Sequence, residues 1–138
     1  LPFNILDERW HSSIDKILAE KSKRNLTIHV RSVFLQGLLL SGNPTSWLNA
    51  HVENYQEVIQ WLTDTAVQYN CSSIYELCVR HACSQSWIDA LVLGCESREQ
   101  LDNNITAMSF DTPSAAFDAS LKIPFELDQK TLNPAMWS

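Results

Sequence analysis

Strand-like and helix-like segments alternate along this sequence, and this alternation limits the folds that it can adopt. Apolar and β-branched residues are concentrated over residues 2–6, 26–34 and 88–93, and these runs predict three strands. The segments between and after them carry apolar residues at helical spacing. Because strands that alternate with helices pair in parallel, with the helices packed outside, the sequence predicts an α/β fold.

The ends of several helices are predicted from local signals. Asn25 is expected to end the first helix, and helical spacing returns from Val52 to Ala66. Residues 37–44 are expected to form a loop, a last helix is expected to start at Thr112, and the tail after Pro124 is expected to cover the surface. Serines that precede an acidic or amide residue by three positions predict helix starts, at Ser12 with Asp15, Ser73 with Glu76, and Ser97 with Gln100.

Three parallel strands would leave the edges of their sheet unpaired, so the chain is expected to belong to a larger sheet or barrel. An eight-stranded α/β barrel needs about 250 residues, and the 138 residues of this sequence are close to half of that. The whole chain, residues 1–138, is therefore interpreted as one portion of a larger α/β sheet or barrel.

Composition excludes two classes of partner. The sequence has 16 acidic and 10 basic residues and a formal charge of −6, whereas nucleic-acid-binding proteins usually show a basic excess. Its longest apolar stretch is too short to cross a bilayer, so no membrane partner is expected.

The cysteines and histidines give no sign of a metal site. The four cysteines lack CxxC spacing, and no HxxxH or HExxH pair occurs among the four histidines. Buried free thiols in a reducing compartment are the favoured interpretation, so a cytoplasmic location is expected.

Two segments could bind a ligand. Gly94–Gln100 joins a predicted strand to a predicted helix, where free backbone N–H groups and Arg98 could hold a phosphate. The same residues also fit an ordinary turn with a capping box. Gly37 follows another predicted strand, where it could let a ligand approach the backbone or serve only as a turn residue.

Four stretches together resemble the C-terminal half of the aldo-keto reductases. Residues 2–7 (PFNILD) resemble the sixth-strand segment of the family, and residues 31–39 (RSVFLQGLL) resemble its seventh-strand stretch. Residues 94–104 (GCESREQLDNN) resemble the eighth-strand signature, and residues 132–137 (LNPAMW) are similar to the family's C-terminus. These stretches occur in the family's order and spacing.

The resemblance implies the C-terminal part of a (β/α)8 TIM barrel, with about three parallel strands and flanking helices. It also implies a parent enzyme that reduces aldehydes or ketones with NADP or NAD as cofactor. The tyrosine, lysine, aspartate and histidine that serve proton transfer in the family lie in its N-terminal half. The resemblance therefore implies that this chain holds no catalytic residue and part of the cofactor site.

Carried over position by position, the resemblance assigns two regions to the cofactor. Ser32 and Gly37 would lie along the pyrophosphate and ribose, and Arg98 is the nearby cation that could favour the 2′-phosphate of NADP. Val33 and Asn103 depart from the family's usual proline and glutamate at these sites. Gly94 stands where some members have a phosphate-binding lysine, and Glu96 is close by, so the choice between NADP and NAD is open. The residues that would flank the adenosine are Gly94, Ser97, Gln100 and Asn104.

The resemblance leaves two functions open. The parent could be a carbonyl reductase with a small-molecule carbonyl substrate, or the chain could be a non-catalytic nucleotide-binding or regulatory module of the same fold. Unpaired sheet edges predict either self-association or pairing with the missing N-terminal half.

Overall fold

The computed structural model describes residues 1–108 and 121–137, in which five α-helices accompany two short parallel strands. Short 3₁₀ turns lie at Glu8–Trp10, Leu38–Leu40 and Pro134–Met136. The strands are β1 (His29–Arg31) and β2 (Ala90–Val92), and the helices are α1 (Ile14–Arg24), α2 (Pro44–Asn49), α3 (Tyr55–Gln68), α4 (Ile74–Cys83) and α5 (Arg98–Met108).

The prediction of a TIM-barrel portion with about three parallel strands is wrong. β1 and β2 pair in parallel with His29 opposite Ala90, and they form a two-stranded sheet in the described part of the chain. Residues 2–6 contribute a single parallel bridge, between Pro2 and Arg31. The described residues form a small mixed α/β fold, and they hold fewer parallel strands than the predicted barrel portion requires.

A local turn explains why residues 2–6 do not form a full strand. The N–H of Phe3 still donates to the carbonyl of Arg31 at 2.9 Å. The side-chain Oδ1 of Asn4 then accepts from the N–H of Leu6 at 3.0 Å, and its carbonyl accepts from the N–H of Asp7 at 3.0 Å. This turn, built by an asparagine side chain, takes the backbone away from the sheet after one bridge.

Left-handed backbone explains why β1 is shorter than the run predicted over residues 26–34. The strand ends at Arg31, and Ser32 already has φ of 65°. Leu35 and Gln36 follow with φ of 47° and 54°. Residues other than glycine rarely adopt this conformation, so the apolar pattern gave no signal that the strand would stop there.

The capping signals located the end of α1 and the start of α4 correctly. α1 ends before Asn25, which adopts the left-handed conformation with φ of 50°. Its N-terminal flanking residue is Ser13 rather than the predicted Ser12. α4 begins after Ser73, whose hydroxyl accepts from the N–H of Glu76 at 3.2 Å, as the capping pattern predicted.

α2 was not predicted, although the sequence carries a signal for it. The Asn43 side chain accepts from the N–H of Thr45 at 3.0 Å, and Pro44 occupies the first helical position. Trp47 on this helix is fully buried, and its indole N–H donates to the carbonyl of Ser41 at 2.8 Å. The pair Asn43–Pro44 is therefore a helix start that the loop interpretation overlooked.

The rest of the chain agrees with the predictions in part. α3 covers most of the helix predicted over residues 52–66 but begins at Tyr55. The helix predicted to start at Thr112 lies outside the described residues. Within residues 121–137 there is no helix longer than a 3₁₀ turn, yet Thr131 is fully buried. The apolar side chains of this segment that pack against the core are Leu121, Ile123, Phe125, Leu127, Leu132 and Trp137.

One cluster of buried apolar side chains joins the sheet to the helices. Val30 of β1, Trp47 of α2, Leu62 of α3 and Leu77 of α4 are all fully buried in it. Burying a side chain of this size stabilises the fold by about 1.5–3 kcal/mol. α4 also contacts β2, α5 and the Leu38–Leu40 turn, so it holds the segments that follow both strands.

His81 lies inside this core, on α4, with its ring stacked on Phe3 at 5.5 Å between centroids. Burial, with a smaller effect from the charge of His11, lowers the pKa of His81 from 6.5 to about 4. The unfolded chain therefore binds a proton at this histidine below about pH 6.5, whereas the folded chain does not until about pH 4. The stability that this group contributes is full above pH 6.5 and is lost as the pH falls.

We expect His81→Gln to remove this part of the pH dependence, because glutamine does not titrate. The wild-type free energy of unfolding should fall by about 2 kcal/mol more than that of the variant between neutral pH and about pH 4.5. Urea unfolding at the two pH values measures the difference. His29→Gln, which changes an exposed histidine, is the control, and an equal fall in wild type and His81→Gln would contradict the prediction.

Candidate functional site

The segments that follow β1 and β2 emerge at the same edge of the sheet. The strands run in parallel, and Arg31 lies opposite Val92 at their ends. Residues 32–37 after β1 and residues 93–97 after β2 are therefore neighbours, and we call them together the carboxyl edge. In open parallel sheets this edge is where ligands bind.

The loop after β1 has an unusual backbone conformation. Ser32, Leu35, Gln36 and Gly37 all have positive φ, with Gly37 at 81°. Leu35 is buried and its N–H donates to the carbonyl of Ser32 at 2.8 Å, which anchors the loop to the core. The Ser32 hydroxyl accepts from Nη1 of Arg31 at 3.2 Å. The loop thus presents Ser32 and Gly37 from a fixed backbone.

The start of α5 forms the predicted capping box. The Ser97 hydroxyl accepts from the N–H of Gln100 at 3.1 Å, and Oε1 of Gln100 accepts from the N–H of Glu96 at 2.6 Å. The capped-turn interpretation is therefore confirmed for these atoms. Two of the backbone N–H groups that the phosphate-binding interpretation would use are already hydrogen-bonded here.

Arg98 lies on the first turn of α5 and points into solvent. Its side chain is 93% exposed, and its Nε lies 3.8 Å from a carboxylate oxygen of Asp102. An ion pair this exposed contributes little, so the guanidinium is available to other partners. Gly94 has open space around it, since a Cβ placed there would meet no atom within 4 Å.

Tyr75 on α4 links the loop after β1 to α5. Its ring stacks on Phe34 at 4.6 Å between centroids, and its hydroxyl donates to Oδ1 of Asn104. Burial, and to a lesser extent the nearby Cys95, raise the pKa of the Tyr75 hydroxyl. The sequence analysis did not select Tyr75, because nothing in its spacing shows that α4 packs between the loop after β1 and α5.

Two cavities open beside the loop after β1. The first, of about 510 Å³, lies between the carboxyl edge and the tail, and the second, of about 370 Å³, adjoins it at Gln36. The polar residues that line the first are Asn4, Arg9, Arg31, Ser32, Gln36, Gln129, Lys130 and Asn133. Those that line the second, with Gly37, are Ser41, Ser46 and Asn49.

The structure brings only some of the predicted site residues to these cavities. Ser32 lines the first and Gly37 lines the second. The predicted residues that line neither are Gly94, Ser97, Arg98, Gln100 and Asn104. The Tyr75 contact with Asn104 connects this second group to the loop after β1.

The described ranges, residues 1–108 and 121–137, contain no group of three His, Cys, Asp or Glu side chains placed as metal ligands would be. Within the same ranges, no helix has both the length and the apolar character that crossing a bilayer requires. All four cysteines are free thiols, but only Cys71 and Cys78 are buried, whereas Cys83 and Cys95 are exposed. The prediction of buried thiols is therefore right for two of the four.

The chain matches no protein-family model, and no curated protein or solved structure is significantly similar to it. The resemblance to the aldo-keto reductases therefore rests on the sequence stretches quoted above.

We expect Gly37→Ala to destabilise the protein, because alanine at φ of 81° adopts a strained left-handed backbone. The free energy of unfolding should fall by about 1–2 kcal/mol in urea denaturation. Gly42→Ala is the matched control, since its backbone needs no positive φ and its Cβ would meet nothing within 4 Å. Equal stabilities of the two variants would contradict the role given to Gly37.

Proposed function

We propose that this chain carries part of the NAD(P)H-binding site of an aldo-keto reductase, which reduces a small aldehyde or ketone to an alcohol. The observation that carries the proposal is the parallel pairing of β1 and β2. It brings the two segments that resemble the family's cofactor-binding stretches to one edge of the sheet. The cofactor would supply the hydride, and the residues of this chain would bind and orient it.

The loop after β1 suits the phosphate and ribose part of the cofactor. A ligand can approach Gly37 closely, because a Cβ there would meet no atom within 4 Å. The adjoining cavity offers two hydroxyls and an amide, from Ser41, Ser46 and Asn49. Such neutral donors can hydrogen-bond to phosphate and ribose oxygens. Ser32 lies at the other end of the same loop and adds a further hydroxyl.

The start of α5 suits the adenosine end. Gly94, Ser97, Gln100 and Asn104 would flank the adenosine, and the exposed guanidinium of Arg98 would meet a 2′-phosphate. This charge favours NADP over NAD in the proposal. Tyr75 supports a single extended ligand, since it connects Asn104 to Phe34 in the loop after β1.

We further propose a cytoplasmic location. Its support is the free state of all four thiols, of which two are exposed, since exposed free cysteines persist in a reducing compartment.

We expect the 138-residue chain to bind NADPH more tightly than NADH in isothermal titration calorimetry. Arg98→Gln should weaken NADPH binding by roughly three- to tenfold and leave NADH binding unchanged, because NADH lacks the 2′-phosphate. Gly37→Ala should weaken both nucleotides. Arg24→Gln removes another exposed arginine, on α1, where it pairs with Glu20, and serves as the control.

Failure of both nucleotides to bind at millimolar concentration would contradict the proposal, as would an equal loss in Arg24→Gln. Steady NADPH oxidation by this chain with a panel of aldehydes would contradict the assignment of the catalytic residues to another part of the enzyme. Without a positioned proton donor, bound cofactor alone lowers the barrier little.

We also propose that the chain associates with a second copy through β2. In the described residues β2 pairs only with β1, so its outer backbone groups face away from the sheet. Val92 at this edge is 53% exposed, and Leu101 and Met108 of α5 are also exposed. An unpaired edge that carries an exposed apolar side chain favours edge-to-edge pairing.

We expect the molar mass from size-exclusion chromatography with light scattering to rise with protein concentration. Val92→Lys should lower the associated fraction, because a charged side chain blocks pairing at a sheet edge. Val67→Lys, at a 72% exposed position on α3, should leave it unchanged. A monomer at all concentrations in the wild-type chain would contradict this prediction.

A further inference from the structure

Positive charge is concentrated around the first cavity, the one of about 510 Å³ between the carboxyl edge and the tail. Arg9, Arg31 and Lys130 line it, and none of its lining residues is an aspartate or glutamate. The whole chain has only 10 basic residues and a formal charge of −6. Cations concentrated at one concave site whose lining residues include no aspartate or glutamate create a local field that attracts anions.

Two of these three cations are available to a ligand. Within residues 1–108 and 121–137, neither Arg31 nor Lys130 forms an ion pair. The Arg31 guanidinium donates to the Ser32 hydroxyl at 3.2 Å, which points it along the carboxyl edge and leaves its other N–H groups for a partner. Arg31 and Lys130 are both exposed residues, so a ligand can reach their charges without uncovering a buried group.

Arg9 has a different role in this cavity. Its guanidinium donates through two nitrogens to both carboxylate oxygens of Asp7, whose side chain is fully buried. This bidentate pair fixes the guanidinium plane and offsets much of its charge. Arg9 therefore forms a rigid wall of the cavity, and the attraction for an anion comes mainly from Arg31 and Lys130.

The remaining lining favours a small organic molecule over a bare inorganic ion. Leu35, Leu132 and Met136 give the cavity an apolar side, while Asn4 and Gln36 offer amides. The volume of about 510 Å³ lies within the range of small-molecule sites. A ligand with an acidic end and a short carbon skeleton matches both surfaces.

We propose that Arg31 and Lys130 bind a small organic molecule through its carboxylate group. The first cavity adjoins the second, proposed cofactor-side cavity at Gln36. The identity of the ligand rests on the proposed function. If that function holds, the ligand is the carbonyl substrate, and the substrate is a carbonyl compound that also bears a carboxylate. The tail would then contribute to substrate selection through Lys130.

The test uses malonate as the probe and malonamide as its neutral counterpart, titrated into the 138-residue chain by calorimetry. Malonate should bind and malonamide should not. Arg31→Gln and Lys130→Gln should each weaken malonate binding by roughly tenfold, the effect of losing one charge-assisted hydrogen bond. Lys16→Gln removes the charge of an exposed lysine outside this cavity and should change nothing. Circular dichroism of each variant checks that the fold is kept.

Equal binding of malonate and malonamide, or an equal loss in Lys16→Gln, would overturn the proposal. Malonate should still bind when NADPH is saturating. Displacement of malonate by NADPH or by pyrophosphate would overturn it too, because the cavity would then hold the phosphates of the nucleotide. Binding of malonate without any binding of NADPH would sink the proposed function and leave the carboxylate site standing. Binding of NADPH alone would do the reverse.

Discussion

Three residues of β1 lie opposite three residues of β2, and the positions of both candidate binding segments depend on this short parallel pairing. Its strength comes from the side chains beneath it rather than from its few hydrogen bonds. Val30 is fully buried in the apolar cluster, and α4 packs against β2 and against the turn beyond β1. Because the pairing is parallel, the chain leaves both strands in the same direction, which is what creates a shared edge.

The charge distribution around that edge differs between its two sides. On the α5 side, Arg98 stands in solvent near Asp102, and the capping box satisfies nearby backbone groups. On the tail side, Arg31 and Lys130 face a cavity that has no acidic lining residue. The first arrangement suits recognition at the rim of a long ligand, and the second suits a small anion held in a concave space. Tyr75 lies between the two sides, since it contacts both Phe34 in the loop after β1 and Asn104 on α5.

The sequence located several features that are decided by neighbouring residues. The hydroxyl of Ser73, the pair of Ser97 with Gln100, and the left-handed Asn25 each act within a few positions, and each was placed or nearly placed from the pattern. Helix α2 carried an equally local signal, but the glycines and the proline in this stretch led to the prediction of a loop. These features need no knowledge of the rest of the fold.

The sequence was insufficient where the backbone adopts a rare conformation or where distant residues meet. The positive φ of Ser32 shortens β1, and the side chain of Asn4 turns the chain away from the sheet, so a barrel portion was predicted in error. Tyr75 and Asn104 are 29 positions apart in the sequence, and no periodicity predicts their contact. The tail and Arg31 are even farther apart in the sequence, and only the folded chain shows that they line the same cavity.

The stacking of Tyr75 on Phe34 and its hydrogen bond to Asn104 also have a thermodynamic consequence. One side chain restrains both the loop after β1 and the face of α5. A molecule that immobilises the loop would therefore also restrict Tyr75, and a second contact near Asn104 would then cost less conformational entropy. The two ends of an extended ligand would bind cooperatively across this bridge, without any movement of the helices.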